Sequence, residues 1–185
     1  MLHAHTLDPA LTALIVIDMQ EAFRGSIRDF SETASRIARI ATGARLLSVP
    51  IIVTEQYPKG LGHTATEIVN ALPAGGEAVE KTAFSSCGAD AFLDRLQQTN
   101  ARQLLICGIE AHICVNQTAH DLLARGYQVH LLHDCITARS DINKEMGLRK
   151  MHQSGALPSS IELALFELLR DARHEQFKAI QKLIK

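Results

Sequence analysis

The chain predicts an α/β fold, a three-layer α/β/α sandwich around a mostly parallel sheet of about six strands, Rossmann-like in plan. Three observations carry this reading. Short apolar runs rich in β-branched residues recur along the chain, and they are continuous rather than alternating, as strands buried on both faces require. Stretches with apolar residues at helical spacing fall between them. Hydrophobic residues make up 46% of the chain and aromatics only 4%, an aliphatic balance that suits a sheet covered by helices. At 185 residues, one domain spanning 1–185 is long enough to bury a core without disulfides or structural metal.

Residues 1–11 have no clear period, and Asp8 and Pro9 mark a turn. Residues 13–17 (ALIVI) form the first buried strand, which ends at Asp18. Ligands of open α/β sheets sit beyond the carboxyl ends of the strands, so Asp18 is a site candidate; its other reading is a solvated loop carboxylate or a cap. Between residues 30 and 49, Ala34, Ile37, Ile40, Ala41, Ala44 and Leu47 recur at helical spacing with arginines interleaved, an amphipathic crossover helix. Pro50 forces an extended entry into a second strand at 51–54 (IIVT). Residues 55–63 carry Pro58, Gly60 and Gly62 and read as a loop at the same edge as Asp18, where Tyr57 and His63 are candidates for a pocket or simply solvated.

A short helix is expected over 64–72, stopping before Pro73, then a short strand over 77–81 with Lys81 at its end. A lysine there is either a surface charge or a cation facing two anions, a carboxylate and a thiolate. Phe92, Leu93 and Leu96 share one face of a helix over 89–96. Residues 104–107 form a strand, Gly108 opens a tight connection, and Val115, Thr118, Ala119, Leu122 and Leu123 continue at helical period to Gly126. Cys114 falls at or near the first turn of that helix. Unpaired N–H groups and the macrodipole stabilise an anion there, and beside a cation a cysteine pKa can fall from about 8.5 to roughly 3.5–7.5. Its other reading is a small buried apolar residue.

A fifth strand is expected over 129–132, ending at His133 and Asp134, and a helix over 140–154 capped by Ser140 and closed by Gly155. Ala156 and Leu157 form a weak sixth strand, and Ser159 with Glu162 makes a capping box for a helix over 161–169. The last helix places Phe177, Ile180 and Ile184 on one face, to dock on its own domain or on a partner subunit.

Net charge is −1 with Lys and Arg spread along the chain, so no nucleic-acid partner is expected. Cys87, Cys107, Cys114 and Cys135 contain no CxxC pair, the N-terminus has no secretory pattern, and no apolar run is long enough to span a bilayer. A cytoplasmic protein with reduced thiols, no membrane partner and a small-molecule ligand is the expectation. Asp18, Lys81 and Cys114 each follow a strand, so all three can converge on one sheet edge. An anion, a cation and an activatable thiol fit acyl transfer.

These residues resemble the isochorismatase-like hydrolases, a superfamily that includes nicotinamidases and N-carbamoylsarcosine amidohydrolases. The matching stretches are ALIVIDMQEAF (13–23), EKTAFSSC (80–87) and ICGIEAHICVNQTAHDLLARGYQVHLLHDC (106–135). TEQYPKGLGHT (54–64), MHQSGALPSSIE (151–162) and HEQFKAIQKLIK (174–185) are similar to the short isochorismatase-domain-containing proteins. The resemblance implies a catalytic triad on Asp18, Lys81 and Cys114, a cis peptide between Ile109 and Glu110, and an oxyanion hole from the backbone N–H groups of Glu110 and Cys114. It also suggests a homo-oligomer. Phe23 and Tyr57 are then the expected pocket walls, with His63 nearby. Where nicotinamidases carry an Asp-x-His metal motif this chain has Glu55, Gln56 and Tyr57, so no metal and no cofactor is expected. Members specialised for isochorismate often lack the cysteine. Its presence argues for an amide-type C–N bond cleaved through a Cys thioester and against isochorismate. Two alternatives stand beside this reading: a non-catalytic binding or scaffold protein, and a thiol-redox sensor with Cys87 or Cys107 as resolving partner.

Overall fold

In the computed structural model, which describes residues 3–185, the apolar runs become parallel strands and the periodic stretches become helices that cover them. The order is β1 (Thr12–Ile17), α1 (Phe30–Leu46), β2 (Ile51–Gln56), α2 (Pro58–Leu61), α3 (Thr66–Val69), β3 (Val79–Lys81), α4 (Asp90–Gln98), β4 (Gln103–Gly108), α5 (Cys114–Ala124), β5 (Gln128–Ile136), α6 (Asp141–Gln153), β6 (Leu157–Ser159), α7 (Ile161–Leu169) and α8 (Phe177–Ile184). The strands form one six-stranded sheet in the order β3-β2-β1-β4-β5-β6, with every neighbouring pair parallel.

Alternate strand residues face opposite sides, which is why the runs are apolar throughout. Leu14, Val16, Leu105 and Leu132 pack beneath α1, α3, α7 and α8. Ala13, Ile15, Ile17, Ile106 and Leu131 pack beneath α4, α5 and α6. The chain winds outward one way from β1 and the other way from β4, so the crevice beyond β1 and β4 is the topological switch point, where ligands bind in such sheets.

Gly108 lets that crevice close. It has φ 116°, and a Cβ would lie 2.0 Å from the carbonyl oxygen of Ile17, so only glycine allows β4 to approach β1 as it ends. The following turn is held on two sides: Ile109 N–H donates to Ile17 O (2.9 Å) and Ala111 N–H to Thr137 O (2.9 Å).

Three expectations change. β2 runs on through Glu55 and Gln56, because Thr54, Glu55 and Gln56 pair with Val79, Glu80 and Lys81; local composition alone read these residues as loop. β5 continues past His133 and Asp134 to Ile136, which pairs with Gly108 beyond a register shift. Ser159 does not cap α7: it is the last residue of β6, and Ser160 Oγ accepts from Leu163 N–H at 3.3 Å instead. The terminal apolar stripe is satisfied within the chain, with Ile180 fully buried and Phe177 and Ile184 packed on the same core.

Gly147 of α6 rests on the turn before α5, where an added Cβ would lie 2.7 Å from Ala111 O and 2.9 Å from His112 Cα. Helix propensity alone favours Gly147→Ala by about 1 kcal/mol. Because both contacts are backbone, overpacking should prevail and the variant should be less stable by about 1–2 kcal/mol in urea unfolding. A gain in stability would mean that α6 shifts freely.

Candidate functional site

Asp18 ends β1 in the left-handed region, with φ 51°. Its N–H donates to Thr54 O (3.1 Å) and its carbonyl accepts from Gln20 N–H (2.8 Å), which fixes the turn. The carboxylate is buried, 2% exposed. Thr54 donates its hydroxyl to Oδ1 at 2.7 Å, and Lys81 Nζ donates to Oδ2 at 2.5 Å. Lys81 reaches this point from β3, past β2. Gln56 Oε1 accepts from Nζ at 2.7 Å, and the carbonyls of Ala83 and Phe84 accept at 3.2 and 3.1 Å. Every ammonium hydrogen therefore has an acceptor, the condition under which a buried ion pair is tolerated.

Cys114 is the first residue of α5 and is 8% exposed. Asp18 and Cys114 line one cavity of about 200 Å³ with Phe23, Gln56, Leu61, Phe84, Ile109, Glu110, Ile113 and Arg139. Lys81 stands behind Asp18. The expected low-pKa thiolate is corrected here: burial, then the negative charge of Asp18, pushes the Cys114 thiol up to about 12, against the opposing pull of Lys81. At neutral pH the resting group is a thiol, facing a carboxylate.

The peptide between Ile109 and Glu110 is cis. Glu110 O accepts from the N–H groups of Ile113 (3.0 Å) and Val115 (3.3 Å), so the turn folds back on itself at the start of α5. Among the described residues, neither the Glu110 nor the Cys114 N–H donates a backbone hydrogen bond. The Glu110 side chain is buried and anchored: its carboxylate accepts from Arg139 N–H (2.9 Å), Nε (3.0 and 3.1 Å) and Nη2 (3.0 Å). Burial opposes the Glu110 charge, but the Arg139 hydrogen bonds outweigh it and hold the carboxyl below its ordinary range.

Of the expected pocket residues, Phe23 lines this cavity and two do not. Tyr57 caps α2 at φ 38° with its ring over Gly60, 54% exposed, and borders a separate cavity with Lys59, Glu80 and Asp90. His63 is exposed and its Nδ1 meets Glu55 at 3.0 Å. The segment carrying both residues still borders the cavity, but through Gln56 and Leu61 rather than Tyr57 and His63. Gln56, Leu61, Phe84, Ile113 and Arg139 take up the wall instead. Phe84 follows Lys81 closely and Ile113 directly precedes Cys114, signals that pointed this way. Arg139 is legible only from the fold, because it arrives from the far end of β5.

The two cysteines proposed as resolving partners differ in placement, Cys87 sharing the core cluster of Cys114 and Cys107 lying on the other face of the sheet. Cys107 belongs to the core beneath α1, across the sheet from Cys114. Cys87 is held beside the middle of α5 by hydrogen bonds from Ser85 to Asp121 (2.6 Å) and from Ser86 N–H to Thr118 (2.9 Å). Glu55 is occupied by Thr64 and His63, and among the described residues no three His, Cys, Asp or Glu gather as metal ligands.

Removing Lys81 would strand a buried carboxylate. Lys81→Met should cost about 3–5 kcal/mol in urea unfolding, and the double variant Asp18→Leu/Lys81→Met should regain most of it, since an apolar pair needs no counter-ion. Equal losses in both would place the contribution of Lys81 in packing rather than charge.

Residues 12–162 match the model of the isochorismatase domain. Over 178 residues the chain is 44% identical to isochorismatase domain-containing protein 2A of Mus musculus, covering 96% of this chain and 84% of that protein. The solved structure of MAR1 ribonuclease from Caenorhabditis elegans superposes with a TM-score of 0.92 at 39% identity, covering 97% of this chain and 92% of that one. The YcaC gene product of Escherichia coli, described as an octameric hydrolase of unknown specificity, shares the fold with a TM-score of 0.90 at 20% identity, over 100% of this chain and 91% of that one. With the domain matched over most of its length, the chain belongs to the isochorismatase family.

Proposed function

We propose that this protein is a cysteine hydrolase that cleaves the C–N bond of a small amide through a thioester, without a metal. The observation that carries the reading is the Asp18 carboxylate, held by Lys81 and Thr54 on one side and facing the Cys114 thiol on the other. Asp18 takes the thiol proton as sulfur attacks the carbonyl carbon, so charge forms only as it is used. The oxyanion is received by the N–H groups of Glu110 and Cys114, which have no backbone partner among the described residues. Asp18 then gives the proton to the leaving nitrogen as the C–N bond breaks. Water attacks the thioester while Asp18 takes its proton, the acid product leaves, and that proton returns to sulfur. Arg139 holds the Glu110 side chain and with it the donor turn.

A cavity of about 200 Å³ with Phe23, Leu61, Phe84 and Ile113 on its walls suits a small, partly apolar substrate. The relative from Caenorhabditis elegans is named a ribonuclease, which makes RNA the second substrate class to test. An RNA substrate needs cations for its phosphates. Arg139 lines the cavity, but its guanidinium is committed to Glu110. The small amide is therefore the favoured substrate.

Release of ammonia or amine from a panel of small amides tests the proposal. Cys114→Ala should abolish turnover, and Asp18→Asn should lower it by about 10²–10⁴-fold, the usual worth of a general base. Activity that survives Cys114→Ala, or RNA cleavage without amide cleavage, would overturn it.

Alkylation separates the two roles of Asp18. With the thiol pushed up to about 12, the rate of Cys114 alkylation in the parent should keep climbing through pH 8–10 without a plateau. Asp18→Asn removes an anion that raises the thiol pKa and leaves Lys81, which lowers it. Alkylation near pH 8 should therefore be faster in the variant although turnover is slower. Parallel losses would mean that Asp18 also serves alkylation as a base and that its charge does not govern the thiolate fraction.

A further inference from the structure

Away from the cavity, two histidines meet end to end. His133 lies on the exposed part of β5 beyond β6, and His152 in the last turn of α6. Their Nε2 atoms are 2.7 Å apart, with ring centroids separated by 4.9 Å and planes inclined by only 20°. A centroid distance that exceeds the N–N distance by about one ring radius on each side means that the rings lie in line, nitrogen to nitrogen, rather than face to face. His152 Nδ1 donates to Ala156 O at 2.8 Å. A carbonyl only accepts, so Nδ1 carries the hydrogen, and Nε2 of neutral His152 carries a lone pair. The hydrogen between the rings then belongs to His133 Nε2.

We propose that His133 and His152 form a two-histidine binding site for a divalent first-row transition metal. The His133 proton moves from Nε2 to Nδ1 through solvent, with no net release, and two Nε2 lone pairs converge on one point. Imidazole nitrogens suit nickel, copper and zinc. Metal–nitrogen bonds of about 2.0–2.1 Å set two nitrogens about 3.4 Å apart across a tetrahedral ion, so the exposed His133 ring must swing out of line with His152 to admit it. The carbonyl of Ala156 fixes the tautomer and direction of His152, the second-sphere arrangement usual for a ligating histidine. Among the described residues no third His, Cys, Asp or Glu completes a set, so water fills the remaining positions. All four cysteines are buried and offer no competing thiol. The bound ion would tie β5 to the end of α6 that lies about 20 Å along the helix from Ser140 and the cavity, at 1.5 Å per residue.

Calorimetric titration of the full chain with NiCl₂, paired with thermal melting, tests this. His3 and His5 offer a competing pair, with ring centroids 5.1 Å apart, so the titrations use a His3→Ala/His5→Ala background. One saturable site and a melting point raised by a few degrees are expected, since an ion that binds only the folded state stabilises it. His133→Ala and His152→Ala should each weaken binding at least tenfold and remove the thermal shift, while His120→Ala should change neither. Absence of a saturable site in the background protein, or equal binding after either substitution, would overturn the proposal.

Discussion

The buried ion pair between Lys81 and Asp18 is the constraint around which the rest of the site is arranged. A charged pair inside a protein is tolerated only when its remaining valences are met, and here they are met by three consecutive strand ends. Asp18 comes from β1, Thr54 and Gln56 from β2, and Lys81 from β3, with the carbonyls of Ala83 and Phe84 closing the shell. The parallel registers of Ile17 with Thr54 and of Gln56 with Lys81 are therefore electrostatic requirements as well as packing ones. A slip of one residue in either pairing would leave a charge without its partner. This explains why β2 carries polar residues to its end: Gln56 must reach the ammonium.

The other half of the site is assembled on glycine and on backbone. Gly108 brings β4 against β1, and hydrogen bonds to Ile17 and Thr137 hold the turn that carries Glu110. Arg139 then fixes the Glu110 side chain from the loop after β5. The two halves meet at the switch point because the strand order reverses between β1 and β4. The site is thus a product of topology, with its parts separated by most of the chain in sequence.

Much of this was legible from residue patterns. Continuous aliphatic runs announce strands buried on both faces, and the residue pattern sets Asp18 and Lys81 at strand ends and Cys114 at the start of the helix that follows β4. The misplaced element ends share one cause, the long-range pairing that local composition does not encode. Glu55 and Gln56 read as loop by composition but pair with β3, and the segment that follows lines the cavity with Leu61 rather than with Tyr57 or His63. Ser159 and Ser160 are equally good caps by composition. Only the end of β6 decides which hydroxyl is free to accept from Leu163. Arg139 had no local signal, because its partner is 29 positions away.

The thiol shows why magnitude has to decide between two sound principles. A helix N-terminus is worth about 0.3–1 kcal/mol to an anion, reaching about 2 in favourable geometry, or at most roughly 1.5 pKa units. Burial can move a pKa by about 3–5 units the other way. Cys114 is buried and also faces an anion, so the thiol form prevails although the residue begins a helix. A resting thiolate beside Asp18 would put two negative charges against one Lys81. Keeping the proton on sulfur leaves the pair balanced in the resting state. In the mechanism we propose, the same burial that raises the thiol would favour passing its charge directly onto a bound substrate, toward the N–H groups of Glu110 and Cys114.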